Sequence, residues 1–161
     1  KEQGGGALLD ESHGIDMVRY ILGEVDEVFA VVDNISNLEI TSDDAAFLTL
    51  KMKNKQLVHI NFDLCARAPR VNFEIIGSEG NIIWDRVAHK LFIYTTDKKE
   101  WYEEIFNKED FLSMYSTQAK HFYDCCFNGL KPDIDIKDGI ETQKVIDASF
   151  KSNDLRKMVK I

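Results

Sequence analysis

Apolar residues change their spacing twice along this chain, from helical to alternating and back to helical. After Gly4-Gly5-Gly6 come Ala7, Leu8 and Leu9, then Ile15, Val18, Ile21 and Leu22, until Gly23. That three- and four-residue recurrence predicts an amphipathic helix with Asp10, Glu11 and Ser12 in its first turn, where acceptors meet unsatisfied amides. From Val25 to about Val87 the segments VDEVFAVVDNI, DDAAFLTLKMK, QLVHINFDLCA, RVNFEIIG and NIIWD are rich in strand-forming residues, and several alternate. Asn54-Lys55 reads as a hairpin turn that makes its flanking strands antiparallel neighbours. Gly77-Ser78-Glu79-Gly80 is a second tight connection, and HKLFIYTT and WYEEI supply further strands. From Asp110 the helical period returns, with Phe111, Tyr115, Phe122 and Cys126 on one stripe and Asn128-Gly129 closing the helix before Pro132. A last helix is expected from about Lys137 to Ser152, carrying Ile140, Val145, Ile146, Ala148 and Phe150. No repeat, low-complexity tract or linker interrupts the pattern. The expected architecture is a single α+β domain over residues 1–161: a mostly antiparallel open sheet of about six strands, helices packed on one face and the other face free.

Composition narrows the function classes. With 161 residues and 44% hydrophobic content the chain can bury one core. Asp and Glu outnumber Lys and Arg by 28 to 20, giving a net charge of -8, and the cations are scattered, so a nucleic acid partner is not expected. Cys65, Cys125 and Cys126 form none of the spaced pairs of a structural zinc site, which points to no metal and to a reducing cytoplasm. Cys125 and Cys126 read as packed free thiols. No apolar run approaches the roughly 20 residues that span a bilayer, so no membrane is expected. The chain starts without Met and enters a motif at once, as expected of a piece of a longer protein.

Asp10, His13 and Asp16 stand at i, i+3 and i+6, on one side of the predicted helix and away from Ile15, Val18 and Leu22. A histidine at a helix start meets the positive end of the dipole, which favours the neutral imidazole. A neutral imidazole can take a proton from an alcohol, while a nearby carboxylate fixes its tautomer and stabilises the imidazolium; these are requirements for oxidising an alcohol by hydride transfer. The same residues also fit plainer roles: Asp10 as a cap, His13 as an ordinary helix-start residue, Asp16 as a solvated or interhelical partner. The three glycines are no phosphate loop, since no GxGxxG occurs. Arg67 and Arg70 flank Pro69 before a strand, where a guanidinium can hold a substrate carboxylate or phosphate or simply face water. His59 alternates within a strand, His89 falls in a turn, and Trp84 and Trp101 read as core or interface aromatics.

GGGALLDESHGIDMVRYILG resembles the opening of the C-terminal domain of the Gfo/Idh/MocA oxidoreductases, with a glycine pair, a short strand, an Asp, and a His-x-x-Asp step into a helix. FEIIGSEGNIIWD resembles that family's strand, Gly-x-x-Gly turn and strand; MYSTQAKHFYDCCFNGLKP its helix ending before a proline; and DGIETQKVIDASFKS its last helix. The resemblance covers nearly the whole chain. It implies the substrate-binding and oligomerisation domain of a two-domain enzyme whose N-terminal half, absent from this chain, binds NAD or NADP and carries the catalytic lysine in a Glu-Lys-Pro motif. Lys131-Pro132 is not that motif. By the resemblance His13 is the catalytic base or hydroxyl ligand, Asp10 its carboxylate partner, and Asp16 a structural residue; His121, with Gln118, can approach the substrate pocket or serve in helix packing. Asp10 and His13 are three apart where many relatives have four, and Gly14 stands where an acidic residue often follows the histidine. The implied reaction is hydride transfer at a hydroxyl carbon of a sugar, sugar nucleotide or cyclitol, with the fragment alone inactive and the free sheet face joining a homo-oligomer. Two alternatives are an NAD-dependent glycoside hydrolase of the same family and a sheet-mediated oligomerisation module without catalysis.

Overall fold

Strand pairing starts where the alternation is cleanest. The computed structural model describes residues 4–161, apart from the side chains of Lys108, Asp110 and Phe111. Its elements run α1 (Ala7–Asp10), α2 (His13–Leu22), β1 (Val25–Asp33), β2 (Ala45–Met52), β3 (Leu57–Asp63), β4 (Asn72–Ile76), β5 (Gly80–Asp85), β6 (Lys90–Thr95), β7 (Trp101–Ile105), α3 (Lys108–Phe127), α4 (Ile136–Leu155) and β8 (Val159–Lys160). They form two compact units, residues 1–65 with 134–161 and residues 66–133.

In the first unit the sheet order is β3-β2-β1-β8. Val28 lies opposite Leu50, Ala30 opposite Leu48 and Val32 opposite Ala46, and all six are buried. Because side chains alternate across a strand, the same register sends Phe29, Val31, Phe47 and Thr49 to the other face. The buried face shares the core with Leu8, Ile15, Val18, Val145 and Ile146 from the helices. Each fully buried Leu or Ile contributes about 1.5–3 kcal/mol. The hairpin between β2 and β3 stands as expected, but its loop is residues 53–56 rather than Asn54-Lys55 alone: the Met52 amide donates to Gln56 (2.9 Å) and Lys55 takes φ 71°. The edge of β1 is closed by two devices. Two-residue β8 pairs with Glu27 and Val28, and beyond it Ser152 and Asn153 of α4 accept from the amides of Ala30 and Val32 (3.0 Å each).

The helix expected to start at Asp10-Glu11-Ser12 starts instead at His13, and the apolar entry before it, expected as a short strand, is a separate helix, Ala7–Asp10, with Glu11-Ser12 as the turn between the two. The cause is tertiary. Asp43, 35 positions away, takes the Leu8 amide on its carboxylate and the Ala7 amide on its carbonyl, both at 2.9 Å. This anchors α1 at a start that only glycine fits, since Gly6 has φ 119° and a Cβ on it would lie 2.3 Å from Asp43 Oδ1. The second helix ends at Gly23, as expected, with φ 88°.

The second unit is a meander, β4-β5-β6-β7, followed by α3. Gly80 lets β5 meet β6, because a Cβ there would lie 2.1 Å from the Tyr94 carbonyl oxygen. The α+β class and the antiparallel pairing match the expectation; the strand count does not, since the described residues form eight strands in two four-stranded sheets rather than about six in one. Residues 64–71 belong to no strand and include Pro69, which has no amide to donate, and β8 is too short to show a period. Along α3 the expected stripe is not a buried one: Tyr115 and Phe122 are 58% and 71% exposed, Cys126 is exposed, and the Phe111 side chain lies outside the described residues. Apolar residues are spread around this helix, Leu112, Met114, Tyr123 and Phe127 included, so no single face collects them.

Candidate functional site

His13 is the first residue of α2, and its imidazole is largely exposed, with Nε2 3.3 Å from the Glu11 carboxylate. The first turn of α2 is wound onto the turn leaving α1: the Gly14 amide donates to Glu11 (3.0 Å), and those of Ile15 and Asp16 to Ser12 (2.9 and 3.2 Å). These amides are therefore already engaged and do not present an open anion site. Asp10 ends α1, and its Oδ2 accepts from the Gly6 amide at 3.2 Å, tightening that helix on itself. Of the two carboxylates it is thus Glu11 that the fold brings to the imidazole. The break between the helices, which the spacing did not disclose, makes the difference.

Although His13 itself faces water, the helix under it is held from three sides. Ile15 is fully buried. Gly14 lies under the Phe62 ring of β3, so close that an added Cβ would be 2.7 Å from Cε1, which is why glycine stands at this position. Asp16 Oδ1 accepts from Thr142 Oγ1 of α4 at 2.9 Å and from Arg19 Nη1 at 3.4 Å, an interhelical role.

Arg19 is a buried cation beside this candidate site that the motifs do not single out. It is only 6% exposed and grips Glu24 through Nε (3.1 Å) and Nη2 (2.7 Å), while Nη1 donates to the Asp138 carbonyl (2.9 Å) and Thr142 Oγ1 (2.8 Å). The Glu24 hydrogen bond is the main cause that holds its guanidinium above its ordinary pKa. A signal existed: Arg19 falls at i+4 from Ile15 and next to Val18, a cation on the apolar stripe.

The other expected residues belong to the second unit. Arg67 and Arg70 are exposed in the irregular stretch 64–71, and Gln118 is exposed on α3. His121 Nε2 accepts from the Asp133 amide (3.3 Å) and lies 3.6 Å from Cys125 Sγ. Burial is the first cause that pushes the Cys125 thiol up in pKa, which disfavours the thiolate. Elsewhere, His59 Nδ1 lies 3.2 Å from Thr49 Oγ1, His89 occupies a left-handed turn position (φ 53°), and Trp101 packs on Tyr94 with ring centroids 5.5 Å apart. Among the described residues there is no group of three or more His, Cys, Asp or Glu side chains placed to hold a metal ion, and no helix long and apolar enough to cross a membrane.

The family model of the Gfo/Idh/MocA type described as "Oxidoreductase family, C-terminal alpha/beta domain" matches residues 1–161. No curated protein matches the chain. Among solved structures, levoglucosan dehydrogenase in complex with NADH and levoglucosan is similar at 18% identity and a TM-score of 0.81, over 94% of this chain and 48% of that one. GenD2 from gentamicin A biosynthesis, in complex with NAD, gives 19% identity and a TM-score of 0.79 over 98% of this chain and 48% of its own. The WlbA dehydrogenase from Bordetella pertussis, in complex with NADH and UDP-GlcNAcA, gives 18% and 0.73 over 98% and 48%. The chain therefore spans about half the length of each.

Proposed function

This chain belongs to the Gfo/Idh/MocA oxidoreductase family as its C-terminal alpha/beta domain, and from that premise we propose that it forms the substrate side of an NAD(P)-dependent enzyme. The reaction is hydride transfer at a hydroxyl carbon of a sugar, sugar nucleotide or cyclitol. The observation that carries this reading is His13: an exposed imidazole at a helix start, 3.3 Å from a carboxylate, on a braced helix. Support for the substrate class comes from the levoglucosan and UDP-GlcNAcA complexes of similar structures.

The strands of this chain pair antiparallel and no GxGxxG is present, so the described residues offer no strand-loop-helix crossover for a dinucleotide pyrophosphate. We assign NAD or NADP, which supplies the hydride acceptor, to the remainder of the full-length protein. This chain's own task is the proton. With Nε2–H directed to Glu11, Nδ1 is the nitrogen left to take the hydroxyl proton, and the carboxylate stabilises the resulting imidazolium. In this assignment Glu11 orients the imidazole, and Asp10 holds the turn that delivers both. Arg67, Arg70 and His121, all in the second unit, are assigned as substrate-binding residues, the two arginines for anionic groups. Without the remainder the chain turns over nothing.

A second role, in assembly, is favoured by one observation: the face of the first sheet opposite its core carries Phe29, Val31, Phe47 and Leu57, the last two 46% and 72% exposed. We assign that face to homo-oligomer contact. Three free cysteines support a reducing cytoplasmic setting. The function is tested by incubating the full-length protein with NAD or NADP and a panel of hexoses, anhydrosugars, UDP-sugars and cyclitols. NADH or NADPH formation with at least one member is expected. Release of free sugar from glycosides without reduced nucleotide would select hydrolysis instead, and no turnover of either kind would refute both.

A further inference from the structure

We propose that Arg19 and Thr142 are positioning residues that set the orientation of His13 through Asp16; the inference rests on the assignment of His13 as the base. Thr142 Oγ1 is a relay. It accepts from Arg19 Nη1 at 2.8 Å and gives its own proton to Asp16 Oδ1 at 2.9 Å. Arg19 in turn is locked by Glu24 on one side and by the Asp138 carbonyl on the other. The resulting chain, Glu24–Arg19–Thr142–Asp16, ties the N-terminal half of α4 to the first turn of α2. Asp16 is three residues after His13 and so on the same flank of the helix.

Two physical points make this more than a stabilising cluster. A 6% exposed guanidinium is a poor way to gain stability, since an apolar side chain in the same place often serves as well or better. What directional hydrogen bonds add is geometry. The other constraints on this turn, buried Ile15 and the Phe62 ring over Gly14, are apolar contacts that carry no hydrogen-bond direction and leave the helix room to roll. Hydrogen bonds from α4 oppose that roll and thereby fix the direction in which the His13 imidazole leaves the helix. A displacement of about 1 Å at a reacting group costs on the order of 100-fold in rate.

Thr142→Val and Thr142→Ser in the full-length protein separate this role from simple stabilisation. The valine removes the relay with little change of volume; the serine keeps it. Thr142→Val is expected to lower kcat about 10- to 100-fold with the KM for the nicotinamide nucleotide unchanged, and Thr142→Ser to retain kcat. In the same proteins the His13 Cε1–H NMR resonance is expected to move or broaden in the valine variant while those of His59, His89 and His121 stay in place. A valine variant with wild-type kcat and an unmoved His13 resonance overturns the proposal; should that variant not fold, Thr142→Ala is read in the same way. The NMR readout stands without turnover, so full activity in His13→Ala would defeat the base assignment while leaving the positioning role to be decided by the resonance.

Discussion

Gly14→Ala should destabilise the first unit, against the usual rule for helices, and Phe62 should be the reason. In an open helix interior the change stabilises by about 0.8–1.0 kcal/mol, less in a first turn. Here the new methyl would lie 2.7 Å from Cε1 and 3.0 Å from Cζ of a ring that is only 9% exposed, so the ring or the helix must shift. Overpacking of this kind costs about 1–3 kcal/mol, leaving a net loss on the order of 1 kcal/mol. In a Phe62→Leu background the obstructing ring atoms are gone, and the same substitution should become neutral or stabilising by about 0.5 kcal/mol, a coupling of about 1–2 kcal/mol between the two positions. Both tryptophans, Trp84 and Trp101, lie in the second unit, so their fluorescence reports the wrong part of the chain. Native-state amide exchange at Leu48 and Leu50, buried in β2, reads the first unit directly. Slower exchange at these amides in the single Gly14→Ala variant than in the wild type would refute the reasoning.

Three further outcomes follow from the same contacts. Gly80→Ala forces a Cβ onto the Tyr94 carbonyl and should cost more than about 3 kcal/mol, seen as lost exchange protection at Ile82 and Ile83. Asp44 has a depressed pKa, first from the Ser36 hydroxyl and then from the Ile35 amide, so its stabilising contribution is present above the unfolded carboxylate value of about 3.9 and lost as pH falls through the lower folded value. Asp44→Asn should therefore lower stability at neutral pH and flatten its loss in acid, as followed by circular dichroism. Glu11→Gln should lower the kcat of the full-length enzyme about tenfold or more at unchanged stability, whereas Asp10→Ala should act mainly on stability. Equal kinetic effects of the two would remove the distinction between them.

Much of the fold was legible because its signals are local. Alternation in β1, β2 and β3 gave their faces, Lys55 and Gly77–Gly80 marked turns, and Gly23 and Asn128-Gly129 marked helix ends. What stayed hidden depends on partners distant in sequence. Asp43 anchors α1 as a helix of its own ahead of α2, Ser152 and Asn153 finish the edge of β1, and β8 has two residues and no period. The site divides in the same way. His13 stood out by its type and place, but its carboxylate neighbour, Glu11, depends on the break between α1 and α2, and no i, i+3 rule for a continuous helix selects it. Arg19 was the exception: it was visible as a cation on an apolar stripe and needed only the question of what satisfies it.

The measurement closest to the central claim is the rate of NADH or NADPH formation by full-length His13→Ala beside the wild type, on the sugar that the wild type oxidises fastest. Loss of the proposed base is expected to lower kcat about 100- to 10,000-fold, with nucleotide affinity retained, as the proposed assignment of the nucleotide to the rest of the protein requires. A His13→Ala enzyme that keeps the wild-type kcat would contradict the account.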